Sequence, residues 1–201
     1  MATSDTEICN IALGHLGEAP ITSLDEDSKA AWACNLHYAL TRDELLRAHR
    51  WNFAKDRVHL PELVEKPVFG WKRQFLLPAD CLRVLEFNDQ EVGNWLTEEY
   101  EIEGRRLLTD ADQARIVYIK KVSDVALFDP LFVQALALKL GIILSEQIRG
   151  TTGKTQELTQ AFERLAGPLA KRVDANEGRR RKGTLPMNSK AIRARHGEGG
   201  W

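Results

Sequence analysis

The chain has 201 residues, of which 43% are hydrophobic and 28% are charged, and its formal net charge is −1. A chain of this length and composition buries a sizeable core in one domain, which excludes wholesale disorder. A net charge so close to zero indicates neither a nucleic-acid nor a membrane partner.

Two helices are predicted at the start of the chain. Ser4 and Glu7 have the spacing of a capping box and Gly17 offers a stop, so the first helix is expected over residues 5–16. A second helix is expected over residues 28–50, because apolar side chains recur there at alternating intervals of three and four. The predicted buried stripe of this helix consists of Ala31, Cys34, Tyr38, Thr41, Leu45 and Ala48.

The segment LLRAHRWNFAKDRVHL, residues 45–60, combines basic, aromatic and histidine side chains. Such a mixture suits a nucleic-acid contact, a catalytic site or the end of a helix. The helical stripe stops at Ala48 and the period changes beyond Asn52, so the segment is predicted to join a helix to a β region. We interpret Trp51 and Phe53 as core anchors of this junction. The basic side chains expected on its solvent or subunit side are Arg47, Arg50 and Lys55.

An antiparallel β region is predicted at about residues 56–121. Segments such as RVHL, LRVLEF and RIVYIKK are short, rich in β-forming residues and separated by Pro, Gly, Asn or Asp. Gly104 in YEIEGRRLL marks a hairpin turn. The strands are too few for a full sandwich, so this region is expected to be a small insertion between helices.

A strongly apolar helix is predicted over residues 130–149. Asp129 and Pro130 supply its N-cap and its first residue. A membrane span is one reading of this helix, but Gln134 and Lys139 interrupt the apolar run, which is short for crossing a bilayer. We therefore interpret it as the buried central helix. A last helix is expected over 155–175, where Pro168 would kink or break it.

The end of the chain is basic and aperiodic. From residue 171 onward there are nine Lys or Arg against three Asp or Glu, a net +6, which leaves −7 for the preceding residues. We expect residues 177–201 to form a tail that is mobile in the free monomer, and both docking on a partner and plain disorder stay open for it. A solvated tail gains nothing from a terminal indole unless a partner buries it. The candidate docking residues are Arg179, Arg180, Arg181, Lys182, Arg193, Arg195 and Trp201.

Together these elements predict an α+β protein that is mainly helical. Residues 1–176 would form a helical bundle with an inserted small antiparallel β region, followed by an extended C-terminal tail, residues 177–201.

The candidate motifs for chemistry are weak. The segment RGTTGKT, residues 149–155, ends like a Walker A loop, but Ile148 stands where the motif needs its first glycine, and a helix precedes it instead of a strand. An inter-helix loop explains it better. The five histidines show no paired spacing with carboxylates or cysteines, and Cys81 has no neighbouring histidine to activate it. No catalytic, cofactor-binding or metal-ligating residue is assigned, and no cofactor is predicted.

The order of the segments EICNIALGHLGEAPITSLDEDSKAAWACN, RDELLRAHRWNFAKDRVHL, LPADCLRVL and YEIEGRRLLTDADQARIVYIKKV resembles the tail tubular protein A family. These are the head-to-tail adaptor, or connector, proteins of short-tailed bacteriophages. The similarity covers roughly residues 5–165, and its most specific pieces are ICNIALGHLGE and LLRAHRWNFA.

The resemblance implies a structural virion protein without enzymatic turnover, cofactor or membrane contact. Such adaptors form a dodecameric ring that joins the portal protein to the tail nozzle protein and extends the channel for the genomic DNA. The resemblance thus implies that the chain is made in the host cytoplasm and ends in the neck or tail of the virion. The C-terminal segment of such adaptors reaches toward the portal, which makes the basic tail the expected docking element.

Two other functions stay open. One is a tail-associated cell-envelope hydrolase, although paired carboxylates are so abundant in DEDS, TEEYEIE and TDAD that they diagnose nothing. The other is a DNA-binding module, because the tail segment GRRRKG would neutralise phosphates as readily as it would dock on an acidic protein surface.

Overall fold

Four α-helices and two antiparallel sheets make up the described part of the protein. The computed structural model describes residues 4–91, 99–148 and 152–166. The helices are α1 (Asp5–Leu16), α2 (Lys29–Ala48), α3 (Pro130–Ile148) and α4 (Thr152–Ala161), which a π-helical turn (Phe162–Ala166) extends. The strands are β1 (Lys55–His59), β2 (Arg73–Leu76), β3 (Cys81–Phe87), β4 (Gln90–Glu91), β5 (Tyr100–Glu103), β6 (Arg106–Thr109) and β7 (Arg115–Lys120). Short 3₁₀ turns lie at Asn52–Ala54 and Val125–Leu127.

Local hydrogen bonds explain where the helices begin and end. Ser4 Oγ accepts from the backbone N–H of Glu7 at 3.1 Å, and Gly17 adopts the left-handed conformation, φ 70°, that ends α1. Asp129 Oδ1 accepts from the backbone N–H of Leu131 at 2.7 Å and so caps α3. These caps satisfy backbone groups that the first and last turns of a helix leave without intrahelical partners.

Helix α3 lies at the centre of the helical part and packs against α1, α2 and α4. The approach is close at Gly141, where an added Cβ would lie 3.3 Å from Leu158 Cδ1 and 3.5 Å from the carbonyl oxygen of Ala12. Among the described helices, α3 is the one whose length and mean hydropathy would suit a membrane span, and 56% of that window is buried within the protein. More than half of this apolar helix is therefore covered by other parts of the protein.

The four-stranded sheet has the order β1-β7-β3-β4 and the three-stranded sheet the order β2-β6-β5, with every described pairing antiparallel. Successive residues of the central strands point into different cores, as the pleat of a strand requires. Leu85 and Ile119 belong to the core shared with the helices, whereas Val84 and Tyr118 belong to the core shared with the three-stranded sheet. The four-stranded sheet is thus the middle of three layers.

The structure confirms the α+β class and the hairpin turn at Gly104, which has φ 59° between β5 and β6. A mainly helical fold is not evident, because two sheets occupy the region between α2 and α3. The strands begin at Lys55 and end at Lys120, close to the predicted limits. Helix α4 begins at Thr152, before the predicted start at 155, while Pro168 and the predicted domain boundary at 176 lie outside the described residues.

Tyr118 provides a test of this layered core at alkaline pH. Burial, with the charges of Asp80 and Asp56 adding to it, raises the pKa of Tyr118 from its ordinary 10.0 to about 12. The phenol binds its proton more tightly in the folded state, so its contribution to stability is complete below pH 10 and is lost as the pH rises toward 12.

We therefore expect Tyr118→Phe to lessen the loss of unfolding free energy above pH 10, by on the order of 1–3 kcal/mol at the alkaline end. Urea unfolding of the parent chain and the variant at a series of pH values measures this difference. Below about pH 9 the two stability curves should run parallel, which is the internal control. Curves that stay parallel through the alkaline range would contradict the assignment.

Candidate functional site

A cluster of four aromatic rings, Trp51, Phe53, Phe128 and Phe132, lies where the chain enters and leaves the β region. The Trp51 side chain is 3% exposed, and its Nε1 donates to the carbonyl oxygen of Leu45 at 3.1 Å. The Phe132 ring centroid lies 5.1 Å from Trp51, 5.2 Å from Phe53 and 4.8 Å from Phe128, in edge-to-face arrangements. This aromatic cluster joins the end of α2 to the start of α3.

Two basic side chains of the same segment, Arg47 and Lys55, bind parts of the junction itself. The exposed Arg47 donates from its guanidinium to the carbonyl oxygen of Leu82, and Arg83 Nη1 donates to the carbonyl oxygen of Arg47 at 3.4 Å. Lys55 Nζ donates to Asn52 Oδ1 at 2.6 Å. Arg47 and Arg83 therefore connect the end of α2 to β3. These charges stabilise the junction.

A set of hydrogen bonds and ion pairs connects α1, α2 and the segment after β7. The Tyr38 hydroxyl donates to Asp5 Oδ1 at 2.7 Å, and burial, followed by the contact with Asp5, raises the pKa of Tyr38 well above its ordinary value. Arg42 is buried and pairs with Asp43 at 2.8 Å, while Asp43 also pairs with Lys121 at 2.9 Å. Because the phenol stays protonated, Tyr38 serves as a hydrogen-bond donor and cannot act as a base near neutral pH.

In the Walker-like segment, the side chains of Lys154 and Thr155 contact other side chains of the helices. Lys154 and Thr155 lie in the first turn of α4. The predicted inter-helix loop is therefore wrong for residues 152–154, which are helical, whereas Thr155 was already expected to begin a helix. Lys154 Nζ contacts both carboxylate oxygens of Glu157, at 3.0 and 2.9 Å, and Thr155 Oγ1 lies 2.6 Å from Ser145 Oγ on α3. Residues 149–151 lie outside the described residues. The groups that a phosphate loop would direct at a nucleotide thus have protein partners.

The thiols have environments that keep them protonated or buried. Burial, with the charge of Asp80 next, raises the pKa of Cys81 to about 11, so this thiol is protonated at neutral pH and is a poor nucleophile. Cys9 and Cys34 are fully buried, and the neighbouring Cys34, followed by burial, raises the pKa of Cys9 well above its ordinary value. Within the described ranges, no group of three or more His, Cys, Asp or Glu side chains is placed to hold a metal ion.

Two exposed apolar surfaces are the features that sequence reasoning missed. The first, the α2 stripe, consists of Trp32, Leu36 and Leu40, which are 63%, 53% and 71% exposed. The second, the loop tip between β1 and β2, consists of Val64, Val68 and Phe69, which are 101%, 96% and 85% exposed. Isolated exposed apolar residues are ordinary, but grouped large ones mark interaction surfaces. The spacing of four along α2 was the available signal for the first surface.

The base of this loop is held firmly on the three-stranded sheet. Trp71 Nε1 donates to Glu101 Oε2 at 3.1 Å, and the backbone N–H of Lys72 donates to Asp110 Oδ1 at 2.9 Å. Arg73 pairs with Asp112 at 2.8 Å. An open cavity of about 420 Å³ lies at this base, lined by Glu62, Lys66, Pro67, Trp71, Lys72 and Arg73. The anchored base presents the loop tip to solvent.

The predicted docking residues of the tail, residues 177–201, lie outside the described residues. No protein-family model and no curated protein sequence matches the chain. The α2 stripe and the loop tip are suited to binding through apolar contact, since their side chains are large, apolar and exposed.

Replacing Trp51 tests the aromatic cluster. We expect Trp51→Ala to lower the free energy of unfolding by about 3–5 kcal/mol, because it leaves a large cavity beside Phe132. Urea unfolding followed by circular dichroism measures the change. The matched control is Trp32→Ala on the exposed α2 stripe, where the monomer should lose no more than about 0.5 kcal/mol. Equal effects of the two substitutions would rule out the cluster as the anchor of the junction.

Proposed function

We propose that this protein is a structural subunit: a head-to-tail adaptor of a short-tailed bacteriophage. Assembled as a dodecameric ring, it joins the portal protein to the tail nozzle protein and extends the channel through which the genomic DNA passes. The observation that carries the proposal is the pair of grouped, solvent-exposed apolar surfaces, the α2 stripe and the loop tip. The resemblance of residues 5–165 to tail tubular protein A supplies the class of assembly.

A ring subunit needs contacts on two different sides of its body. Repetition of one heterologous contact around an axis closes a ring without a large interface between any two copies. The two apolar surfaces lie on different elements, a helix and an inter-strand loop, which suits this requirement. In this proposal the helical bundle formed by α1 to α4 supports the inserted β region, and both parts contribute to the body of the ring.

The charge distribution along the chain supports the same proposal. The residues before 171 carry a net charge of −7, whereas the end of the chain carries +6. An acidic body lets DNA slide through a channel because it does not hold the phosphates. The basic end is suited to dock on an acidic partner surface, which supports portal contact through residues 177–201.

Deletion of residues 177–201 tests the docking role of the tail. We expect the shortened protein to keep the melting temperature of the parent chain and to lose attachment to its portal protein. Electron microscopy of purified mixtures measures attachment as rings seated on portals.

Two further measurements separate docking from other uses of the tail. Substitution of only Arg179, Arg180 and Arg181 by Ala should weaken attachment less than the deletion does. Unchanged attachment of the shortened protein would refute the docking role. If instead the parent chain shifts DNA in gels with a steep salt dependence and the triple substitution abolishes the shift, the tail is a DNA-binding element.

A further inference from the structure

We propose that residues 190–195 of the C-terminal tail bind the outer edge of β5 in the same chain, as an additional strand of the three-stranded sheet. The inference concerns the free subunit and goes beyond the adaptor function. It gives the tail a place on the body of the protein, from which a partner that binds the tail more tightly would displace it.

Strand β5 offers an open sheet edge. It lies at the end of the order β2-β6-β5, and no described strand pairs with its outer side. The opposite edge, along β2, is covered, because the backbone N–H of Leu63 donates to the carbonyl oxygen of Gln74 at 2.9 Å. Ile102 on β5 is 43% exposed. An unpaired edge of this kind is a template for one more strand, whose backbone groups complete the ladder.

The β5 side of the sheet is acidic. Glu99, Glu101 and Glu103 are exposed, and none of them has an ion-pair partner among the residues that the structure describes. Glu101 accepts a hydrogen bond from Trp71 Nε1, a neutral donor that leaves its charge in place. Residues 92–98, which precede β5 and lie outside the described ranges, contain no Lys or Arg. A strand with cations at alternate positions therefore suits this edge.

Charges of both signs occur in the outer sheet and its loops. Residues 61–76 and 99–114 contain seven Asp or Glu and five Lys or Arg. One of the five cations, Lys66, is exposed in the loop between β1 and β2, directly after the exposed Glu65. The net charge of this part of the chain is thus weakly negative, and the positions of the other four cations decide where it is most negative.

The other four cations have partners away from β5. Arg105 Nη2 donates to the carbonyl oxygen of Leu77 at 3.2 Å. Arg106 Nη1 donates to Gln74 Oε1 at 3.4 Å. Both partners lie on the β2 side of the sheet, so these guanidinium groups reach away from β5. The ion pairs of the remaining two cations are Lys72–Asp110 at 3.6 Å and Arg73–Asp112 at 2.8 Å.

The tail contains a segment with the complementary pattern. Residues 190–195, KAIRAR, include three Lys or Arg and no Asp or Glu. If this segment is extended, Arg193 and Arg195 point to one face and Ile192 points to the other. Strand β5 has the same alternation with the opposite charge, since its glutamates and Ile102 lie on different faces.

One antiparallel register satisfies both faces at once. It places the arginines of the tail beside glutamates and an isoleucine beside an isoleucine, and such cross-strand pairs fix the register of a strand. A slip of one residue would place each arginine beside an apolar or aromatic side chain. The three pairs of this register are Ile192–Ile102, Arg193–Glu101 and Arg195–Glu99.

The length of the tail allows the contact to form within one chain. The described part ends at residue 166, and 23 residues separate it from residue 190. A segment of that length can span up to about 75 Å, whereas the helical layer and the outer sheet are roughly 20 Å apart. A tethered segment has an effective concentration of roughly millimolar at a site within its reach, which exceeds the concentration of other copies in dilute solution.

Hydrogen exchange of the full chain tests the added strand. The tail variant carries Arg193→Glu and Arg195→Glu. We expect the backbone amides of residues 100–103 to exchange about three-fold faster or more in this variant, because the edge loses its partner. Mass spectrometry of peptic fragments measures the rates. Equal rates in the parent chain and the tail variant would overturn the proposal.

Charge reversal on the sheet provides the matched rescue. The edge variant carries Glu99→Lys and Glu101→Lys, and it should also exchange faster over residues 100–103. Combining it with the tail variant should restore slow exchange, since the ion pairs form again with reversed signs. The control is Asp25→Lys with Asp27→Lys, the same charge change on exposed residues before α2, which should leave these rates unchanged. Faster exchange in the combined variant than in either parent variant would contradict the proposed register.

Photo-crosslinking identifies what the tail contacts. With Ile192 replaced by p-benzoylphenylalanine, a mixture of isotope-labelled and unlabelled chains should give crosslinks to residues 99–103 within one copy. Crosslinks between copies, crosslinks to other residues, or none at all would overturn the contact. All these measurements use the purified chain without a portal protein, so their failure leaves the adaptor function and its attachment test standing.

Discussion

The fold depends on the burial of the four-stranded sheet on both of its faces. Along β3 and β7, neighbouring residues point alternately toward the helices and toward the three-stranded sheet, as Val84 and Leu85 do. A strand buried on both faces has no solvent side, so the layers above and below it must both be present for it to be stable. The middle layer therefore couples the helical part to the outer sheet.

This coupling gives the two exposed apolar surfaces a fixed relation. The α2 stripe belongs to one outer layer and the loop tip to the other, and each is held by contacts behind it. Behind α2, Lys139 pairs with Glu44 at 2.5 Å, and behind the loop, Gln74 Nε2 donates to the carbonyl oxygen of Glu65 at 2.7 Å. Surfaces held in this way have a constant orientation relative to each other, which a repeating contact in the proposed ring would require.

The elements that could be predicted from the sequence are those whose controlling interactions are local. Ser4 caps the start of α1, Gly17 ends that helix, and Asp129 caps the start of α3. Each of these interactions joins groups only a few residues apart. Of the six residues predicted to be buried on α2, from Ala31 to Ala48, all except Ala48 are buried. The loop tip could not be predicted, because residues 61–72 have no hydrophobic period. Which of its side chains are exposed depends on the contacts of the loop base with the three-stranded sheet.

The ends of α1, the start of α3, the approximate extent of the β region and the residues at the junction could be predicted from the sequence. These follow from hydrogen bonds and side-chain periods that act over a few positions. Which apolar side chains remain in solvent depends on contacts between elements that are far apart in the chain. Trp32 and Cys34 are both apolar residues of one helix, yet the first is exposed and the second fully buried. The difference comes from α1 and α3, which cover one face of α2, and α3 is some ninety residues distant along the chain. No local pattern contains that contact.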